Sequence, residues 1–184
     1  MDDMTECYNR FLQGDERAFE KIVVENRLGL SYYIFSFVRD FDTAEELTED
    51  VFVKLYIKRP ANKKKCSFKT WLYTIGRNMA IDAYRKRKKE NRLSLDEIAE
   101  ISSGGNPTEE RYLAEETKKA LHEALKSITP AYAEALRLMY FEGFSEKEIA
   151  HITKRSVKST YDLIYRAKKT LKEHLMKEGF RYEI

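Results

Sequence analysis

Glycine and proline are scarce in this sequence, seven and three among 184 residues. Chains that turn often need both, since glycine enters left-handed backbone freely and proline presets a bend. A chain so poor in them is confined to long uninterrupted elements. Its apolar residues recur with a period of about 3.6, and no run of strand length alternates, so the fold expected is all-α. The first long stripe runs from Asp15 to Val38. Phe19, Ile22, Val23, Leu30, Tyr33, Ile34 and Phe37 share one face, interrupted only by Asn26.

Further helices follow from their end signals. Thr43 and Glu46 have the spacing of a capping box, which predicts a second helix to Lys58 with Ala44, Leu47, Val51 and Leu55 inward, ended by Pro60. Ser67 is placed to cap a third, carrying Phe68, Leu72, Ile75 and Met79 inward and running on into a basic tract. Residues 1–90 make a first domain. Residues 91–107 read as a flexible linker ending in SSGGNP, with one helical turn at Leu95–Ile101. Residues 108–184 make a second domain of four helices. Leu113, Thr117, Leu121, Ala124, Leu125 and Ile128 face its core, after a cap-proline start at Asn106-Pro107. Thr129-Pro130 opens the next helix, which closes at Gly143. Ser145 with Glu148 forms another capping box, and a last helix follows Ser156 and stops near Gly179.

Charge is abundant and unevenly placed. Charged residues make up 35% of the chain, against about 25% in a typical globular domain. The net charge is only +3, yet Tyr84–Arg92 holds six Lys/Arg against one Glu, while Thr43–Asp50 holds four acids and no base. Such segregation suits two partners, one polyanionic and one basic. Cys7 and Cys66 have neither metal-ligand nor disulfide-framework spacing. The three histidines are scattered, so no metal site and no cofactor is expected. No signal peptide is recognisable and no apolar run approaches the roughly 20 residues a membrane span needs. The expected setting is a reducing cytoplasm.

Three constellations could carry function. Glu46, Glu49, Asp50 and Val53 recur at helical spacing, so three carboxylates line a face opposite the apolar stripe. They form either a solvated face or a docking surface for a basic partner; a catalytic pair would need converging groups that the sequence does not offer. On the third helix Phe68, Trp71 and Tyr73 stand among Lys69, Arg77 and the basic tract. Trp71 and Asn78 share a face at its edge. Aromatic rings stack on unpaired bases while cations follow phosphates, and Asn78 could read a base edge. The alternative is that Trp71 anchors a core. Finally, Ser145–Leu171 has the layout of a helix-turn-helix, packed by Ile149, Ile152, Val157, Ile164 and Leu171, with small Ala150 at the helix crossing. Arg155, Lys158, Ser159, Asp162 and Arg166 project outward, where they could meet phosphates and base edges. A helical hairpin with no DNA role is the plain alternative.

In order, GDERAFEKIVVEN from Gly14, DTAEELTEDVFVKLY from Asp42, SFKTWLYTIGRNMAIDAYRKRKK from Ser67 and ITPAYAEALRLMYFEGFSEKEIA from Ile128 resemble the sigma factors of the sigma-70 family, in its extracytoplasmic-function (ECF) group. The resemblance implies a non-enzymatic initiation factor that binds core RNA polymerase and directs it to promoter DNA. Glu46, Glu49 and Asp50 fall where the family docks on the clamp helices of the largest subunit. Trp71, Arg77 and Asn78 fall where it opens the −10 element. Lys63, Lys64 and Lys65 fall in a loop that captures a flipped base, and Arg85, Lys86 and Arg87 along the adjacent backbone. Arg155, Lys158, Ser159, Asp162 and Arg166 fall on the −35 recognition helix. An apolar patch near Leu136, Met139 and Tyr140 would meet the polymerase flap tip, and an anti-sigma factor is an expected partner. Departures are Lys154 where the family has glycine, Tyr161 and Asp162 where it has Lys and Ser, and Glu49 for its common Gln. Asp162 is expected to face a cytosine amino group or an arginine of its own domain. The competing reading is a stand-alone helix-turn-helix regulator.

Overall fold

A computed structural model describes residues 3–62, 66–93, 125 and 128–177. The chain divides into two compact units at Gly105–Asn106. The expected linker turn and the stripe from Leu113 to Ala124 lie outside the described residues, as does the chain beyond Lys177. Among the described residues there are seven helices and no strand.

Four helices build the first unit: α1 Asp3–Leu12, α2 Glu16–Val38, α3 Phe41–Lys58 and α4 Phe68–Leu93. Helix α2 packs against the other three. Its core partners include Phe11, Leu55, Phe68, Leu72 and Tyr73, fully buried with its own Ile22, Leu30, Tyr33 and Ile34. Burying one such side chain stabilises by about 1.5–3 kcal/mol, so this set dominates the unit. Asn26, the polar interruption, is satisfied: its amide donates to Ile22 C=O at 2.8 Å and lies 3.5 Å from Met4 Sδ. Helices α2 and α4 approach closely at Gly76, where an added Cβ would stand 2.7 Å from Leu30 Cδ1.

Helix ends follow the predicted signals in most places. Asp15 caps α2, accepting from Ala18 N–H at 3.3 Å, and Ser67 Oγ accepts from Thr70 N–H at 3.2 Å at the start of α4. The Thr43–Glu46 box does not form. Asp40 is the N-cap of α3, and Thr43 N–H donates to its carboxylate at 2.8 Å. An extended aspartate three residues upstream takes the role first, so Thr43 ends up inside the helix. Two core stripes also shift. In α3, Thr48 and Phe52 are buried while Leu47 is half-buried; in α4, Trp71, Tyr73 and Ala80 are buried while Ile75 and Met79 are half-buried. The reason for the second shift is α1, which the periodicity argument passed over. It covers α4 at Trp71, whose ring meets Tyr8, while Tyr73 is covered by Tyr33 of α2.

The second unit contains α5 Pro130–Tyr140, α6 Glu146–Thr153 and α7 Val157–Lys177. Leu125, Ile128, Leu136, Ala167, Leu171 and Leu175 form one core cluster. The Thr129-Pro130 start holds, although the Thr129 side chain makes no cap hydrogen bond. The Ser145–Glu148 box forms in both directions. Ser156 caps α7, its Oγ accepting from Ser159 N–H at 3.1 Å. Val157, expected to pack, is 41% exposed, and Thr160 is buried one turn later. Val157 is the first residue of α7, ahead of the turn that meets α6.

Candidate nucleic-acid and polymerase interfaces

The acidic face is real and outward. Glu46, Glu49 and Asp50 are exposed on α3, and the face continues through exposed Val53 and Ile57. Arg27 of α2 lies 3.5 Å from both Glu45 and Glu49, so Glu49 is partly engaged within the unit. Such exposed pairs contribute at most about 1 kcal/mol. Glu46 and Asp50 have no ion-pair partner among the described residues. No group of three His, Cys, Asp or Glu gathers to hold a metal among them. The ridge is therefore a surface of negative charge edged by apolar side chains, suited to a basic partner.

Helix α4 carries its cations beyond the core. Arg85, Lys86 and Arg87 are exposed, and Arg77 and Asn78 are half-buried. Arg85 pairs loosely with Asp82 at 3.8 Å, while an Arg87 guanidinium nitrogen donates to Val38 C=O at 3.4 Å, at the end of α2. Of the two readings of Trp71, its packing fits the core anchor. Its side chain is only 9% exposed, and its ring meets Tyr8 at 5.4 Å and Phe68 at 5.9 Å, both edge-on. As the unit stands, this ring anchors α1 to α4 and offers no open face for a base. Lys63, Lys64 and Lys65 lie outside the described residues, but both ends of their loop are described. Asn62 donates to Cys66 C=O at 2.9 Å, closing the neck. Tyr8 O–H donates to Pro60 C=O at 2.8 Å, and Phe68 N–H donates to Thr5 Oγ1 at 3.0 Å.

Thr5 and Tyr8 belong to α1 and were missed. Their signal was present in Met4, Cys7, Tyr8 and Phe11, spaced as one helical face and all buried. Burial holds the Tyr8 phenol proton, raising its pKa to about 12, against a smaller opposing pull from Arg59. Arg59 itself stacks over Phe11 at 4.6 Å and pairs with Glu16 at 3.2 Å, binding three helices together.

In the second unit, all five residues assigned to the recognition helix and its turn are exposed. Arg155, Lys158, Ser159, Asp162 and Arg166 line one open groove with Tyr132, Ser156 and Leu163. Asp162 makes no ion pair with a described arginine; Arg111 and Arg181 of the same unit lie outside the described residues. Tyr161 and Tyr165 add exposed aromatic surface to the same helix, Tyr165 at 73%. Lys154 occupies the turn with φ 56, in the left-handed region. The apolar patch shifts: Leu136 is fully buried and Met139 half-buried, so Tyr140 and Phe141 carry what is exposed there. No described helix is long and apolar enough to cross a membrane.

Comparison with known proteins fits this division. Residues 22–90 match the Sigma-70 region 2 family and residues 118–171 match Sigma-70, region 4. The ECF RNA polymerase sigma factor SigM of Bacillus subtilis is 30% identical over 140 residues, 76% of this chain and 84% of that one. The RNA polymerase sigma factor SigV of the same organism is 32% identical over 78% of this chain and 82% of its own. Among solved structures, the sigma factor RpoE, in complex with the anti-sigma factor NepR from Bartonella quintana, superposes with a TM-score of 0.70. It is 26% identical, covering 86% of this chain and 96% of that one. Two sigma regions in order, on two helical units, leave one assignment: the chain belongs to the sigma-70 family of RNA polymerase sigma factors, in its ECF group.

Proposed function

We propose that this sigma factor grips core RNA polymerase through α3 and reads its promoters at two separate places. Glu46, Asp50 and the partly engaged Glu49 dock on the clamp helices of the largest subunit. Arg77, Asn78, Lys63–Lys65 and the cations Arg85–Arg87 hold the −10 element as it opens. Trp71 contributes by supporting α4 from beneath. Arg155, Lys158, Ser159, Asp162 and Arg166 address the −35 duplex, with Tyr140 and Phe141 turned to the flap tip. Extruding a base requires a few kcal/mol, which binding supplies without nucleotide hydrolysis. The chain acts by binding, not catalysis, in the cytoplasm where polymerase works. The RpoE likeness supports an anti-sigma partner that covers the same surfaces.

The observation that carries this reading is the exposed acid ridge on α3 beside the cationic extension of α4. A stand-alone regulator would leave the ridge with no role. Co-purification with core polymerase tests the point. Glu46→Lys with Asp50→Lys should weaken the complex by at least about a hundredfold, since each reversal sets like charges face to face. An unchanged affinity would leave the docking assignment without support.

A further inference from the structure

The inward stripe of α4 does not stop with its apolar residues. Gly76 and Ala80 are buried, Ala83 is half-buried, and Arg87 follows in the same helical phase, at spacings of four, three and four. Arg87 is therefore on the side of α4 that meets α2 at Gly76, although solvent reaches it. Its guanidinium donates to Val38 C=O at 3.4 Å. Val38 is the last residue of α2, and the final carbonyls of a helix have no partner within it and form its negative pole. Two residues on, Asp40 caps α3. The Asp40 carboxyl is held below the usual carboxylate range, chiefly by hydrogen bonds from Thr43 and in smaller part by Arg87. One cation thus addresses the end of α2 and the cap of α3 together. Arg85 is placed differently. Two residues earlier on the helix, it points to the opposite side, with its side chain 75% exposed and loosely paired with Asp82 at 3.8 Å.

We propose that Arg87 is a positioning residue for the −10 grip: it ties the basic end of α4 to the junction of α2 and α3, while Arg85 meets phosphate. The proposal rests on the reading of Arg85–Arg87 as the stretch that follows the −10 backbone, and it divides that stretch by role. From Ile81 to Lys89 no side chain of α4 is buried, so this end of the helix needs a tie to keep its cations in fixed places. Losing the tie costs order, which lowers DNA affinity equally at every salt concentration. Losing a phosphate contact removes a released counterion and changes the salt dependence itself.

The test titrates holoenzyme, assembled from the full chain and core polymerase, with labelled random-sequence single-stranded DNA over a salt series. Arg87→Met keeps much of the side chain's length and removes both charge and donor. Its line of log affinity against log salt should run parallel to wild type, about three- to tenfold lower, the worth of a lost hydrogen bond. Arg85→Met should flatten the line by about 0.7, the share of one phosphate on a single strand. Hydrogen exchange in the free chain reads the tie with no DNA present. Amides of residues 84–89 should exchange faster in Arg87→Met and at the wild-type rate in Arg85→Met. Arg87→Lys, which keeps a donor of similar reach, should restore both the line and the exchange. With Arg85→Met flattened as expected, a flattened line for Arg87→Met, or one that coincides with wild type, would overturn the proposal, and so would unchanged exchange. A wild-type line for Arg85→Met would instead bring down the reading of this stretch as a grip on DNA.

Discussion

Arg39, Arg59 and Lys154 share an unusual position. Each ends a helix in the left-handed region, with φ of 58, 41 and 56, where glycine is the unstrained choice. A side chain there raises the energy by about 1–2 kcal/mol. All three are cations at the negative end of a helix, which offsets part of that strain. The balance differs by site. Lys154→Gly should stabilise the second unit by about 0.5–1 kcal/mol in urea unfolding, because backbone relief exceeds the weak end charge. Arg59→Gly should instead destabilise, since it removes the Glu16 pair and the stack on Phe11. Tyr8 offers a second residue-scale test. Its folded pKa, about 12, lies above the unfolded value, so the stabilisation tied to it is complete below pH about 10 and is lost as pH rises through 12. Stability of Tyr8→Phe, followed by circular dichroism across that window, should fall less steeply than wild type.

At the scale of elements, α7 and its turn form a groove with three cations and one acid. A phosphate contact contributes a near-unit step to the salt dependence of duplex binding. Arg155→Ala should therefore lower that slope by about 1, measured by fluorescence anisotropy over a salt series. Asp162 carries no phosphate, so Asp162→Asn should leave the slope unchanged. It should shift preference at one −35 position from cytosine toward adenine, the base an amide pairs with in two bonds. The turn and caps of this motif were legible because they are local: Ser145 and Glu148 lie within one helical turn, and Thr129 adjoins Pro130. Elements whose burial depends on a distant neighbour were not. Val157 and Thr160 differ by one turn, and only the position of α6 decides which is covered.

Across the whole molecule, opposed charge on one chain makes the function readable. The acid ridge of α3 and the cations of α4 are strings of like residues on helices whose phases the sequence sets. The all-α class, both helical units and the outward recognition residues were legible for that reason. Asp40 displaced Thr43 because two cap signals three residues apart compete, and the periodicity of α3 cannot choose between them. Trp71 was left between two readings because α1, a ten-residue helix whose apolar face includes Cys and Met, had not been recognised. Without it the indole had nothing to pack beneath.

That indole is the only tryptophan in the chain. Sandwiched where α1 meets α4, it gives the protein an intrinsic fluorophore at a single seam. Emission of the native protein should be blue-shifted, and Phe68→Ala, which empties a fully buried site against the indole, should move the spectrum toward red. Recording that colour during promoter opening would tell, with no label attached, whether the seam stays shut while the DNA comes apart.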